Sequence, residues 1–108
     1  MPRATLESYV RPSLRREIRR DLREFLRGVH RRHTMAAAER LAGFDRPVLL
    51  AWAPEDRLFP ISLAERLAEI LPDARIARID DSLTFVPEDQ PAVLAELITE
   101  FARKNAAA

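Results

Sequence analysis

Residues 46–60 read RPVLLAWAPEDRLFP. Val48, Leu49, Leu50, Ala51 and Trp52 follow one another without a polar side chain. A short apolar run without alternation predicts a strand buried on both faces, as in parallel sheets. Pro54 ends the run because proline gives no donor to a sheet ladder. Asp56 comes just past the carboxyl end of this strand, where parallel sheets gather ligands and catalytic groups. A plain turn is the alternative, since Asp and Pro are ordinary turn residues.

The chain downstream of this strand predicts a helix and a second strand. Ser62 and Glu65 have the S-x-x-E spacing of a capping box, and Pro72 ends the helix. Its expected buried stripe is Leu63, Leu67, Ile70 and Leu71, with Ala64 and Ala68 allowing close approach to a sheet. Residues 75–79 then predict a short strand. Strand, helix and strand form a βαβ unit, which is expected to be right-handed with parallel strands.

The last part of the chain predicts a loop followed by a closing helix. Residues 80–87 follow the second strand, again at its carboxyl end. The helix begins near Pro91, a favoured first residue, and its expected buried side chains are Val93, Leu94, Leu97, Ile98 and Phe101. The fold class is therefore α/β with two parallel strands. Such a sheet needs more strands, so the apolar strand from Val48 requires neighbours that this chain does not contain.

The N-terminal part predicts an amphipathic, arginine-rich helical segment over residues 13–33. Ser13 is its expected N-cap, and the apolar stripe is Leu14, Ile18, Leu22, Phe25, Leu26 and Val29. The opposite face carries six arginines, with Glu17, Asp21 and Glu24 interleaved. This face could bind the phosphates of nucleic acid or of an acidic membrane, or it could be a solvated surface. Thr34 is expected to cap a second helix that runs from Met35 to Leu41.

Composition limits the possible functions. The chain has 108 residues, 47% of them apolar, no cysteine and a net charge of +1, which suits one small domain. Charge is uneven, because residues 1–47 hold 12 arginines against 6 acids and the remainder is acidic. No apolar stretch approaches a membrane span and the N-terminus has no secretory pattern, so a cytoplasmic protein is the default expectation. His30 and His33 lack the further ligands of a metal site, and we expect no metal or other cofactor.

Residues 46–101 resemble the C-terminal end of an α/β-hydrolase-fold protein. The matching pieces are RPVLLAW, PEDRLFP, AERLA, PDARI and DSLTFVPEDQP, followed by a closing helix that ends in Phe101. In that family this region holds the last two core strands and helices. Residues 1–45 are similar to the end of the helical cap. The resemblance thus implies two segments, a cap-like 1–45 and a core portion 46–108.

The family's catalytic triad combines a nucleophile on an elbow, an acid after a late strand and a histidine after the last strand. By this resemblance, Asp56 occupies the acid position. Thr84 of Leu83-Thr84-Phe85 occupies the position of the histidine in the family's G-H-F pattern. Threonine is not a general base near neutral pH. The elbow G-x-S-x-G is absent, because the two glycines are Gly28 and Gly43.

The resemblance therefore implies a fragment or truncated member of the hydrolase family that does not catalyse by itself. The parent would hydrolyse small esters or similar substrates. The alternative is a module that binds a partner. Its partner would be the remainder of the hydrolase core or a second copy of the chain, covering the open sheet edge. Nucleic-acid binding through the arginine-rich helix is the weaker alternative.

Overall fold

Two parallel strands joined by a helix form the centre of the computed structural model, which describes residues 2–106. Strand β1 is Val48–Trp52, helix α4 is Ser62–Ile70 and strand β2 is Ala74–Arg78. The strands pair in parallel, with Val48 opposite Ala74 and Trp52 opposite Arg78. The Ile79 N–H continues the ladder by donating to the Trp52 carbonyl at 2.9 Å. The predicted βαβ unit and the α/β class are confirmed.

The core of this unit is small. Its buried apolar residues are Ala53, Ala64, Leu71 and Ile79. Ala64 has no exposed surface, and α4 contacts both strands, as expected for a small residue that allows close approach. The expected stripe is only partly buried, because Leu63 and Ile70 are 37% and 40% exposed.

The prediction that β1 is buried on both faces is wrong for this chain. All five residues of β1 are half-buried. The sheet described by residues 2–106 has two strands in the order β1-β2, so β1 has one edge without a strand neighbour. Helices α4 and α6 contact β1, but they do not replace the missing strands of a larger sheet.

A loop and two helices follow β2. Helix α5 is Val86–Asp89 and helix α6 is Pro91–Asn105, which begins at the predicted proline. Leu94, Leu97 and Phe101 are half-buried, as their spacing predicts. Val93 and Ile98 on the same helix are 42% and 54% exposed, so the predicted burial of these two residues is wrong. Within residues 40–106, no other element buries these two side chains.

The helical N-terminal region differs from the predicted single segment over residues 13–33. It consists of α1 (Arg3–Val10), a 3₁₀ turn (Arg11–Leu14), α2 (Arg16–Gly28) and α3 (Arg31–Leu41). Ser13 lies inside the 3₁₀ turn and its hydroxyl donates to the Val10 carbonyl at 2.7 Å, so it does not cap α2. Thr34 lies inside α3 and its hydroxyl donates to the Arg31 carbonyl at 2.8 Å. Both hydroxyls bond backward along the chain instead of capping a helix start.

The chain divides into two compact units, one up to Glu39 and one from Arg40 onward. The assignment of residues 1–45 to a hydrolase cap and 46–108 to a hydrolase core stays a prediction. Across the described residues, no helix combines the length and the apolar character that crossing a membrane requires.

Candidate functional site

Asp56 lies in a tight turn that follows β1 and is held by backbone donors. Its own N–H donates to the Ala53 carbonyl at 3.2 Å. Its carboxylate Oδ1 accepts from the N–H of Leu58 at 2.8 Å and from the N–H of Phe59 at 3.0 Å. The indole N–H of Trp52 donates to the Phe59 carbonyl at 2.8 Å and closes the turn back onto the strand. The turn therefore fixes the direction of the carboxylate.

Thr84 comes to this carboxylate from the loop after β2. Its hydroxyl donates to Asp56 Oδ1 at 2.7 Å across 28 residues of sequence. Both side chains are half-buried. The two positions that the family resemblance assigned to the acid and to the histidine are thus in direct contact. Within residues 2–106, no donor reaches the second oxygen, Oδ2, of Asp56.

The loop that carries Thr84 is held by several polar contacts. Asp81 has a φ of 54°, a left-handed conformation that aspartate tolerates better than most residues. The Gln90 side-chain amide donates to the Asp81 carbonyl at 3.2 Å, and the Leu83 N–H donates to Asp89 Oδ2 at 3.1 Å. Ser82 is 2% exposed and its hydroxyl donates to the Leu83 carbonyl at 3.3 Å. These contacts hold the loop that positions Thr84.

Asp56 is ionised more readily than a free aspartate. Partial burial is the largest single influence and raises the pKa of this carboxyl group. The hydrogen bonds from the Phe59 N–H, the Thr84 hydroxyl and the Leu58 N–H together outweigh it, so the pKa of Asp56 lies below its ordinary value. The carboxylate is consequently charged at neutral pH and accepts hydrogen bonds there.

A pocket of about 160 Å³ opens beside the Asp56–Thr84 pair. It is lined by Ala51, Trp52, Ala53, Asp56, Phe59, Thr84 and Val86. Four large apolar side chains on the two loops that carry the pair are exposed, namely Leu58, Phe59, Leu83 and Phe85. The pocket thus combines one charged acceptor and one hydroxyl with mainly apolar walls. This arrangement can accept a hydrogen bond from a polar donor. The lining contains no histidine or other side chain that takes up a proton near neutral pH.

Several residues that hold this pair in place are not predictable from the sequence pattern. The Trp52 indole, Ser82, Asp89 and Gln90 act through hydrogen bonds to backbone atoms of the two loops. A backbone partner leaves no pattern in the order of side chains. Only Trp52 has a recognisable pattern, because its position at the end of an apolar strand predicts a strand residue of the core.

The two histidines lie in the N-terminal unit. The rings of His30 and His33 are 6.5 Å apart in an edge-to-face arrangement. In the part of the chain that the structure describes, no group of three or more potential metal-binding side chains lies together.

Comparisons with known proteins reveal similarity to hydrolases. No protein-family profile matches the chain. It is 30% identical over 96 residues to YugF of Bacillus subtilis, an uncharacterized hydrolase, in an alignment that covers 89% of this chain and 34% of YugF. It is 43% identical over 63 residues to RutD of Azorhizobium caulinodans, which is named as a candidate carbamate hydrolase. This alignment covers 58% of this chain and 24% of RutD.

Part of this chain also superposes on a solved structure of an α/β-hydrolase enzyme. MGS-MChE2, an α/β-hydrolase enzyme from the metagenome of sediments of the Mar Chica lagoon in Morocco, superposes with a TM-score of 0.59 and 25% identity. The match covers 62% of this chain and 31% of that enzyme. This chain therefore spans about a third, or less, of the length of the proteins that it matches.

Proposed function

We propose that this chain, which is a partial member of the α/β-hydrolase family, supplies the acid side of a hydrolytic site. The substrates of the complete site would be small esters or related acyl compounds such as carbamates. The proteins that it resembles are at least about twice as long as this chain. The sequence contains no G-x-S-x-G elbow, so a complete site requires groups that the chain does not carry. The nucleophile and the base would come from the remainder of a hydrolase core.

The contact between Thr84 and Asp56 carries this proposal. In the family pattern, a histidine at the position of Thr84 donates a hydrogen bond to the acid and takes up the nucleophile's proton. The Thr84 hydroxyl donates to Asp56 at 2.7 Å and so fulfils the first of these roles. It does not fulfil the second, because a threonine hydroxyl takes up no proton near neutral pH. We therefore propose that the isolated chain does not hydrolyse esters by a triad mechanism.

Turnover of an activated ester tests this proposal. The purified chain should release p-nitrophenol from p-nitrophenyl acetate no faster than the Asp56→Ala variant does. Glu55→Ala is the matched control, because Glu55 is an exposed acid one residue away. Saturable turnover that Asp56→Ala abolishes and Glu55→Ala preserves would refute the proposal.

Partner binding through the sheet edge is the second candidate function. All five residues of β1 are half-buried, and one edge of β1 has no strand neighbour among the described residues. Exposed strand edges pair readily with other chains. A second copy, or a chain that provides further strands, would cover this edge.

Sedimentation over a wide range of protein concentration tests this candidate. Association of the folded chain, abolished by a Leu50→Lys substitution in β1, would support it. A well-folded monomer at all concentrations would exclude self-association through the edge.

A further inference from the structure

Helix α2 has no buried residue and separates its side chains into three strips. At about 100° per residue, Ile18, Leu22, Phe25 and Leu26 share one strip, and all four are exposed, Phe25 by 70%. The five arginines of α2 lie along one side of this strip, over an arc of about 100°. They are Arg16, Arg19, Arg20, Arg23 and Arg27. The acids Glu17, Asp21 and Glu24 form the third strip, which borders the arginines on one side and the apolar strip on the other.

The strip of five arginines, here called the arginine edge, carries uncompensated positive charge. Two of the three acids of α2 are already paired within the helix, Asp21 with Arg20 at 3.0 Å and Glu24 with Arg27 at 2.7 Å. Within residues 2–106, Arg16, Arg19 and Arg23 form no ion pair. Helix α2 as a whole holds five arginines against three acids, a balance of +2. This edge therefore favours an anionic ligand.

The same edge also offers apolar surface to that ligand. Arg19, Leu22, Arg23, Leu26 and Arg27 lie together on one open surface of α2. Leucine side chains thus border the arginines on one continuous surface. A ligand that satisfies both must present negative charge beside hydrocarbon.

We propose that α2 lies on the surface of an anionic lipid bilayer. A helix with an arginine-rich polar face and exposed Phe and Leu on the other side is typical of helices that lie in the membrane interface. The arginines would contact lipid phosphates while their methylene stems, together with Leu22, Phe25 and Leu26, enter the headgroup region. If the helix rotates about its axis so that the arginine edge faces the headgroups, the acids Glu17, Asp21 and Glu24 move into water.

Nucleic acid is the less suitable ligand for this surface. Single-stranded nucleic acid requires aromatic side chains among the basic residues to stack the bases, and Phe25 is the only aromatic residue in α2. Phosphate contacts would also leave the apolar strip in water.

Binding of the full chain to lipid vesicles tests the proposal. Vesicles of equal parts phosphatidylcholine and phosphatidylglycerol should bind the chain, and phosphatidylcholine vesicles should not. The double variant Arg19→Gln/Arg23→Gln should bind about 30-fold more weakly, because each basic residue near an anionic surface contributes a factor of about five. Arg66→Gln/Arg103→Gln removes two exposed arginines from outside α2 and should bind as the original chain does.

Phe25→Gln distinguishes a membrane from a simple polyanion. Phe25 is exposed, so the substitution should leave the fold intact, while vesicle affinity should fall at least about tenfold through lost apolar contact. Failure to bind the acidic vesicles would overturn the proposal, and so would equal losses in the two double variants. Unchanged vesicle binding by Phe25→Gln, together with equal binding to a DNA duplex, would assign the surface to polyanions and would also overturn it.

Discussion

Ile79 offers a direct test of whether the small βαβ core holds this unit together. It is 1% exposed, the largest fully buried side chain among the described residues, and follows β2 immediately. Ile79→Ala removes three carbon atoms, whose transfer from water contributes roughly 2.4 kcal/mol. The cavity left behind adds to this, so the expected loss in the free energy of unfolding is about 2–5 kcal/mol.

Ile98→Ala is the matched control, because it deletes the same atoms from a side chain that is 54% exposed. We expect a loss below about 1 kcal/mol at Ile98, partly offset by the better helix propensity of alanine in α6. Urea denaturation followed by far-ultraviolet circular dichroism measures both variants.

A milder substitution at Ile79 keeps the comparison measurable if Ile79→Ala unfolds the domain. A small domain has about 5–15 kcal/mol of stability, so Ile79→Ala could unfold this one entirely. Ile79→Val would then give the measurable loss, about 0.5–1.5 kcal/mol. Equal effects at Ile79 and Ile98 would refute the conclusion that the buried side chain of Ile79 stabilises this unit.

Three further predictions concern the Asp56 turn and the helix packed on the sheet. Thr84→Val should raise the pKa of Asp56, because one hydrogen-bond donor is lost while partial burial remains. Thr84→Ser keeps the hydroxyl and should leave the pKa unchanged. Titration of the Asp56 carboxylate carbon signal by NMR measures the pKa in both variants. The lowered pKa of Asp56 stabilises the fold only while its carboxylate is charged. This contribution to the free energy of unfolding is lost as the pH falls below about 4. Because the pKa of Asp56 is lowered less in Thr84→Val, the stability of this variant should fall less with acid than that of the original chain. Ala64→Leu should destabilise by about 1–3 kcal/mol, because Ala64 has no exposed surface and a larger side chain overpacks the contact between α4 and the sheet; a urea midpoint equal to that of the original chain would contradict this packing. Trp52→Phe should destabilise by about 0.5–1.5 kcal/mol by removing the donor to the Phe59 carbonyl, and an unchanged midpoint would indicate that water replaces the indole without loss.

The sequence predicted those parts of the fold that depend on short, strongly patterned segments. The apolar run of β1, the helix ended by Pro72 and the helix begun at Pro91 all lie where expected. Each depends on local chemistry, namely an unbroken apolar run or the geometry of proline.

Burial and helix starts were predicted less well, for identifiable reasons. Periodicity shows which side chains share a face of a helix, but not whether another element covers that face. Ile98 and Leu63 therefore have the spacing of core residues and are nevertheless exposed. Ser13 and Thr34 have the chemistry of caps, yet their hydroxyls bond to carbonyls three residues earlier.

Asp56 was predictable from its place just past an apolar strand, but Thr84 and its contact with Asp56 were predictable only through the family resemblance. Asp56 and Thr84 are 28 residues apart, and no spacing rule brings an aspartate in one loop to a threonine in another. The resemblance assigned these positions, and the structure places the two side chains in contact. Whether they act as the acid and histidine positions of a hydrolase stays a prediction.

The position of Trp52 provides an optical reporter for the candidate site. Trp52 is the one tryptophan in the sequence, it lines the pocket beside Asp56, and its indole donates to the Phe59 carbonyl. Its fluorescence, excited at wavelengths that Tyr9 does not absorb, would therefore come from this pocket without interference from a second indole. A shift of the emission when a small ester, a second copy or a complementing chain is added would report an event at the carboxyl end of β1, even where no catalysis occurs.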